Sequence, residues 1–122
     1  MRNPVVDLTG MVTSSDIPEW SLAECGFEYN LNRPIFVDEV QHQKLFKDSP
    51  SSLIDNVKTP TLLLIGHDDR RVNKGQGLSW FHALKGRGVE TKLLIFPDVG
   101  HSLDTLDADR YGIEAAFKFF KR

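Results

Sequence analysis

Apolar and polar residues along the 122-residue chain fall into two regimes. Beyond about Lys58 the pattern is regular. Thr61 to Ile65, read T-L-L-L-I, is an unbroken apolar β-former run between Pro60 and Gly66. A short continuous run between two breakers predicts a strand buried on both faces, as in a parallel sheet under helices. Thr91 to Phe96 is a second such run, ended by Pro97. Between them the spacing predicts a helix from about Lys74 to Lys85, with Leu78, Phe81 and Leu84 on one stripe and Trp80 beside them. Asn73 can cap it, Gln76 stands three residues on in a capping-box arrangement, and Gly86 and Gly88 end it. A last helix is expected from Ala108 to Lys121, its apolar stripe formed by Ile113, Ala116, Phe117 and Phe120. Asp107 and Asp109 sit near its start, and Lys118, Lys121 and Arg122 near its end. Strand, helix, strand, helix implies an α/β fold with parallel strands, and a right-handed crossover is the default.

The first half is less regular. Asn3 to Leu8, N-P-V-V-D-L, reads as a short strand-like piece, and Ser14 to Trp20 as loop with one helical turn at most. Glu24 to Pro34 is mixed. Asp38 to Lys47 predicts a short helix, acidic in its first turn and basic in its last, stopping at Ser49-Pro50. Ser51 to Asn56 is a connector.

Composition adds constraints. The length suits one small domain. Hydrophobic residues at 40% and charged residues at 26% are ordinary for a globular chain, and a net charge of -2 gives no reason to expect nucleic acid or an anionic membrane. No apolar run approaches the roughly 20 residues that span a bilayer. The first residues carry no apolar signal-like run, and the single Cys25 cannot form an internal disulfide, so a cytoplasmic location is expected.

The candidate chemistry lies just past the two strands. Open α/β sheets hold their sites at the carboxyl ends of their strands. H-D-D-R-R follows the first, and P-D-V-G-H follows the second. Side by side and parallel, the strands would bring Asp69 and His101 to one rim. An acid followed in the chain by a histidine is also the order in which α/β hydrolases carry the later members of their triad. The plainer alternative is that Asp69 caps a turn and His101 is a loop histidine. His67, Asp68, Asp69 and His101 could form a metal site, yet no second H-x-D cluster supports it; no metal or cofactor is expected. His42 and His82 read as surface residues on helices, Cys25 as an idle thiol, and Trp20 as core or surface ahead of a pocket wall.

V-K-T-P-T-L-L-L-I-G-H-D-D-R-R-V and the later G-H-S-L resemble the carboxyl-terminal end of the catalytic domain in the prolyl oligopeptidase family of serine peptidases. R-N-P-V, S-S-D-I-P-E-W, E-C-G-F and K-G-Q-G extend the resemblance over nearly the whole chain. The similarity is greatest to those members that release N-acylated residues from peptides. It implies an α/β-hydrolase fold, Asp69 (three residues before Val72) as the catalytic acid rather than Asp68, and His101 as the base. It also implies that Arg71 contacts a substrate carbonyl, a weaker transfer because Arg70 is adjacent. Asn73 stands where the family usually has proline.

The family's nucleophile sits in a G-x-S-x-G elbow upstream, and no such pentapeptide occurs in these residues. The expectation is therefore a carboxyl-terminal portion of a hydrolase domain, carrying acid and base without the serine. An N-acylated peptide is the expected partner in the intact enzyme, which could also be a homo-oligomer. The competing expectations are an inactive remnant or interaction module and, more remotely, a metal-dependent hydrolase.

Overall fold

A computed structural model describes residues 1–30, 32 and 36–121. The end of the mixed stretch at Pro34 and the basic Arg122 lie outside the described residues. The elements run α1 (Leu8–Ser14), α2 (Glu19–Glu24), α3 (Glu39–Asp48), a 3-10 helix (Pro50–Asn56), β1 (Thr61–Gly66), α4 (Lys74–Gly86), β2 (Thr91–Phe96) and α5 (Leu106–Phe120).

β1 and β2 pair in parallel, with Thr61 opposite Thr91 and Gly66 opposite Phe96. Five of the six β1 residues are buried, as a strand covered on both faces requires. Leu62 and Leu64 pack with Phe96, Leu103, Ala108 and Phe119 on the α5 side. Leu63 packs with Val6, Trp80, Leu84 and Val89 on the α4 side. α4 comes close because Gly77 faces Ile65; a Cβ there would lie 2.4 Å from Ile65 Cδ1. Gly88, at φ +72, ends the α4 turn, and the Val89 amide bonds back to Leu84. α1, α2 and α3 enclose a smaller cluster of Leu8, Val12, Leu22, Cys25 and Leu45. Burial pushes the Cys25 thiol up.

Three expectations need correction. The strand-like reading of Asn3 to Leu8 fails. Pairing with β1 lies earlier, through the Arg2–Leu64 bridge, and stops after the Asn3 amide bonds Leu64. Pro4 has no N–H to continue the ladder. Leu8 instead opens α1, capped by the Asp7 carboxylate on the amides of Thr9 and Gly10. The loop expected at Ser14 to Trp20, by contrast, is present between α1 and α2, which enters it only at Glu19.

The Asn73–Gln76 capping box also does not form. Asn73 accepts from the Gly75 amide, but the Gln76 side chain turns to the first segment. Its Oε1 accepts from the amides of Val6 (2.9 Å) and Asp7 (2.8 Å), and its Nε2 donates to the Asp7 carbonyl at 2.8 Å.

Three of the four residues of the expected α5 stripe face outward. Ile113, Phe117 and Phe120 are 67%, 61% and 81% exposed. Ala108, Gly112 and Phe119 are the buried ones, with Ala115 and Ala116 packed beside them. The α3 helix, by contrast, has a full capping box between Asp38 and Gln41 and starts one residue later than expected.

Candidate active site

The two turns that follow the parallel strands are stitched together by backbone. The His67 amide bonds the Phe96 carbonyl at 2.9 Å, and the Asp68 amide bonds that of Val99 at 3.0 Å. Gly66 stands where the turns touch: a Cβ there would lie 2.4 Å from the Gly100 carbonyl oxygen and 2.6 Å from that of Val99. Only glycine permits that approach.

Across this seam His101 Nδ1 lies 2.8 Å from Asp69 Oδ2. The Asp69 carboxylate is fully enclosed, while the His101 side chain is 47% exposed. Asp69 Oδ1 accepts from the amides of Arg71 and Val72, both at 2.9 Å. Asp69 thus caps its own turn and meets the imidazole with the other oxygen. The turn cap and the contact with His101 coexist on one carboxylate. A carboxylate beside Nδ1 holds the ring proton there and leaves the Nε2 lone pair free to take a proton.

The other residues of that stretch divide into separate groups. Lys74 Nζ donates to His67 Nε2 at 2.7 Å, and His67 Nδ1 lies 2.9 Å from Asp68 Oδ1. The four residues considered for a metal are therefore two distinct pairs. Among the described residues no group of three or more His, Cys, Asp or Glu could hold a metal ion. Arg71 reaches to Asp16, with Nε donating at 2.6 Å and Nη2 at 3.3 Å. The Asp16 amide in turn bonds the Arg70 carbonyl at 3.0 Å. The Arg71 guanidinium holds the Asp16 carboxyl below its ordinary range, through this hydrogen bond first.

A cavity of about 410 Å³ opens beside the pair, with Met11, Ile17, Trp20 and Val72 as its apolar wall and Arg71 and His101 on its polar side. Trp20 is thus a pocket-wall residue as well as a packing partner of the α1–α3 cluster. A larger cavity, about 500 Å³, runs along α4 and α3 and touches neither Asp69 nor His101. The smaller cavity is the one onto which the His101 imidazole and the Arg71 guanidinium open.

Three nearby residues were not singled out from the sequence. Arg2 and Asn3 bond the loop that carries His101, and Asp16 pairs with Arg71. Their separations of 101, 98 and 55 residues leave no local spacing to detect. His42 and His82 are exposed on α3 and α4, as expected. No helix of the described residues is long and apolar enough to cross a membrane.

The prolyl oligopeptidase family model matches residues 1–122. The rat acylamino-acid-releasing enzyme is 39% identical over 108 residues, which cover 88% of this chain and 14% of that protein. Acylamino-acid-releasing enzyme 1 of rice is 44% identical over 117 residues, again 88% of this chain and 14% of the relative. Among solved structures, an acylaminoacyl peptidase of Pyrococcus horikoshii superposes with a TM-score of 0.78 at 24% identity, over 99% of this chain and 19% of that one. An acylaminoacyl peptidase in complex with Z-Gly-Gly-Phe-chloromethyl ketone gives 0.76 at 25% identity, with the same coverage. These neighbours have the α/β-hydrolase fold. The chain therefore spans about a seventh of the length of the relatives it matches.

Proposed function

The chain belongs to the prolyl oligopeptidase family of serine peptidases, and from that membership we propose that it is the carboxyl-terminal portion of an α/β-hydrolase catalytic domain that releases N-acylated residues from peptides. Asp69 is the acid, His101 the base and Arg71 a ligand of the substrate carbonyl. The observation that carries this reading is the 2.8 Å contact between His101 Nδ1 and the enclosed Asp69 carboxylate. The names of the similar proteins supply the substrate class, and the lone Cys25 favours a cytoplasmic location.

The chemistry needs a serine from polypeptide outside these residues. Its hydroxyl oxygen adds to the acyl carbon while its proton passes to His101 Nε2. The C–N bond then breaks as Nε2 returns that proton to the leaving amine. Water adds to the acyl-serine by the same proton route and frees the acid. Asp69 keeps the ring proton on Nδ1 throughout and stabilises the imidazolium.

The test joins this chain downstream of a family segment carrying G-x-S-x-G. That polypeptide should turn over an N-acetyl-alanyl chromogenic substrate, and His101→Ala should abolish turnover. Full activity in the His101→Ala variant would sink the assignment. A second reading, an inactive remnant or interaction module, is favoured by the absence of G-x-S-x-G from the 122 residues. Removing the nucleophile of a serine hydrolase costs on the order of 10⁶ in turnover. The 122-residue chain alone should accordingly take no fluorophosphonate label, and labelling lost on mutating His101 would reveal an unrecognised nucleophile.

A further inference from the structure

The loop that carries His101 has one backbone hydrogen bond of its own, from the Leu103 amide to the Gly100 carbonyl at 3.4 Å. It leaves β2 through Asp98 at φ 56 and passes Leu103 at φ 51, two non-glycine residues in the left-handed region. Such backbone persists only where surrounding structure fixes it. Besides the Asp68 amide on the Val99 carbonyl and the Leu103 amide on that of Gly100, what fixes it comes from residues 2 and 3. Arg2 Nη2 donates to the carbonyls of Ser102 at 3.4 Å and Leu103 at 3.3 Å. Asn3 Nδ2 donates to the His101 carbonyl at 2.7 Å and touches that of Gly100 at 3.5 Å.

The Asn3 amide is engaged at both ends. Its Oδ1 accepts from the Gly66 amide at 2.8 Å. Gly66 is the last residue of β1, and its carbonyl accepts from the Asp69 amide at 3.3 Å. One buried side chain, 6% exposed, therefore bonds the root of the acid's turn and the backbone of the base itself.

We infer that Asn3 is a positioning residue for His101: its side chain clamps the base's loop to the strand end from which the acid springs, and so sets the imidazole's place beside Asp69. The inference rests on the reading of His101 as the base. The residue type follows from the task. The site needs one donor and one acceptor on a short side chain, at a backbone φ of 38. Asparagine supplies both groups and tolerates the left-handed region better than most residues. Aspartate could still accept from Gly66 but could not donate to His101, and glycine would relieve the backbone while losing both bonds.

The experiment follows the His101 Nδ1–H proton by nuclear magnetic resonance in the 122-residue chain carrying Ile113→Glu and Phe117→Glu, which remove the exposed apolar face of α5 and leave the native residue at Asn3. Its low-field resonance should vanish in Asp69→Asn. If it does not, the acid–base reading fails, and this inference with it. With that control in hand, Asn3→Asp and Asn3→Gly should each lose the resonance, while the ring signals of His42, His67 and His82 stay in place. A merely structural role would move those signals as well. Retention of the Nδ1–H resonance at its native position in Asn3→Asp would overturn the clamp and leave the acid–base pair standing. Should both variants fail to fold, the same chain with Asn3 in place decides. A scalar coupling across the hydrogen bond from Asn3 Nδ2 to the His101 carbonyl carbon supports the clamp, and its absence refutes it.

Discussion

Asp69 serves His101 with one oxygen and its own turn with the other. Oδ2 lies 2.8 Å from the imidazole Nδ1, while Oδ1 accepts the amides of Arg71 and Val72. The two duties can be separated by mutation. Asp69→Asn keeps an acceptor for the turn but presents an amide N–H to Nδ1, which favours the wrong imidazole tautomer. In the polypeptide completed with G-x-S-x-G, kcat should fall by roughly 10⁴. Unfolding in urea should move little. Asp69→Ala should add a stability loss of about 1–3 kcal/mol for each orphaned buried amide. Equal stability of the two variants would contradict the capping role.

Arg71 and Asp16 should act as a unit. Arg71→Ala in the completed polypeptide should raise KM for an N-acyl peptide, because the guanidinium proposed to meet the substrate carbonyl is gone. Arg71→Lys should recover little, since a lysine cannot make the two-pronged bond to Asp16. The pH behaviour has a definite sign. The Asp16 carboxyl titrates below its ordinary value of 3.8 in the folded chain. The pair's contribution is therefore present above that value and is lost as pH falls through the lower, folded one. Following the Asp16 carboxyl carbon by titration should show a midpoint that returns to the ordinary range in Arg71→Ala.

Gln76 should be among the costlier positions to lose. Three backbone groups, two amides and one carbonyl, depend on its side chain. Gln76→Met, similar in shape, should cost about 2–4 kcal/mol, since the buried Val6 amide and its neighbour are left unpaired. A change below about 0.5 kcal/mol in urea unfolding, the range of ordinary surface substitutions, would show that water replaces those bonds.

The outward face of α5 should govern association. Ile113 and Phe117 lie on it at 67% and 61% exposure, beside a sheet whose β2 edge has no partner among the described residues. Exposed edges and apolar faces invite self-association. The isolated chain should sediment as aggregates or oligomers at micromolar concentration. Ile113→Glu with Phe117→Glu should shift it toward monomer at a stability change within about 0.5 kcal/mol. Phe119→Ala, on the packed face, should cost about 3–5 kcal/mol. A wild-type monomer with a sharp thermal transition would count against the expectation.

The sequence was legible where structure is local. β1 and β2 stand between breakers, so Thr61–Gly66 and Thr91–Phe96 emerge close to their expected bounds. Asp69 and His101 follow directly from them. α1 was not legible, because L-T-G-M-V-T-S holds a glycine and three β-branched residues and little helix propensity. The Asp7 cap and the burial of Leu8, Met11 and Val12 sustain it instead. On α5 the periodicity fits two stripes, and counting hydrophobic bulk picks the wrong one. The packed stripe is built of small residues; even a Cβ at Gly112 would sit 3.4 Å from Leu64 Cδ1. Gln76 had the spacing of a local cap, and a bond to a segment 70 residues away prevailed.

The bracket formed by Asn3 also fixes when the pair can exist. Its two ends are 98 residues apart in the chain. At a ribosome's pace of about 5–20 residues per second, the carbonyl it must grip is made roughly 5 to 20 seconds after the side chain that grips it. So long a span makes the closure a late step of folding, paid for only once β1, α4 and β2 are in register. A nascent chain would thus carry an acid without an aligned base until its last turns have emerged. Folding intermediates would lack the Asp69–His101 contact until two residues 98 positions apart have met.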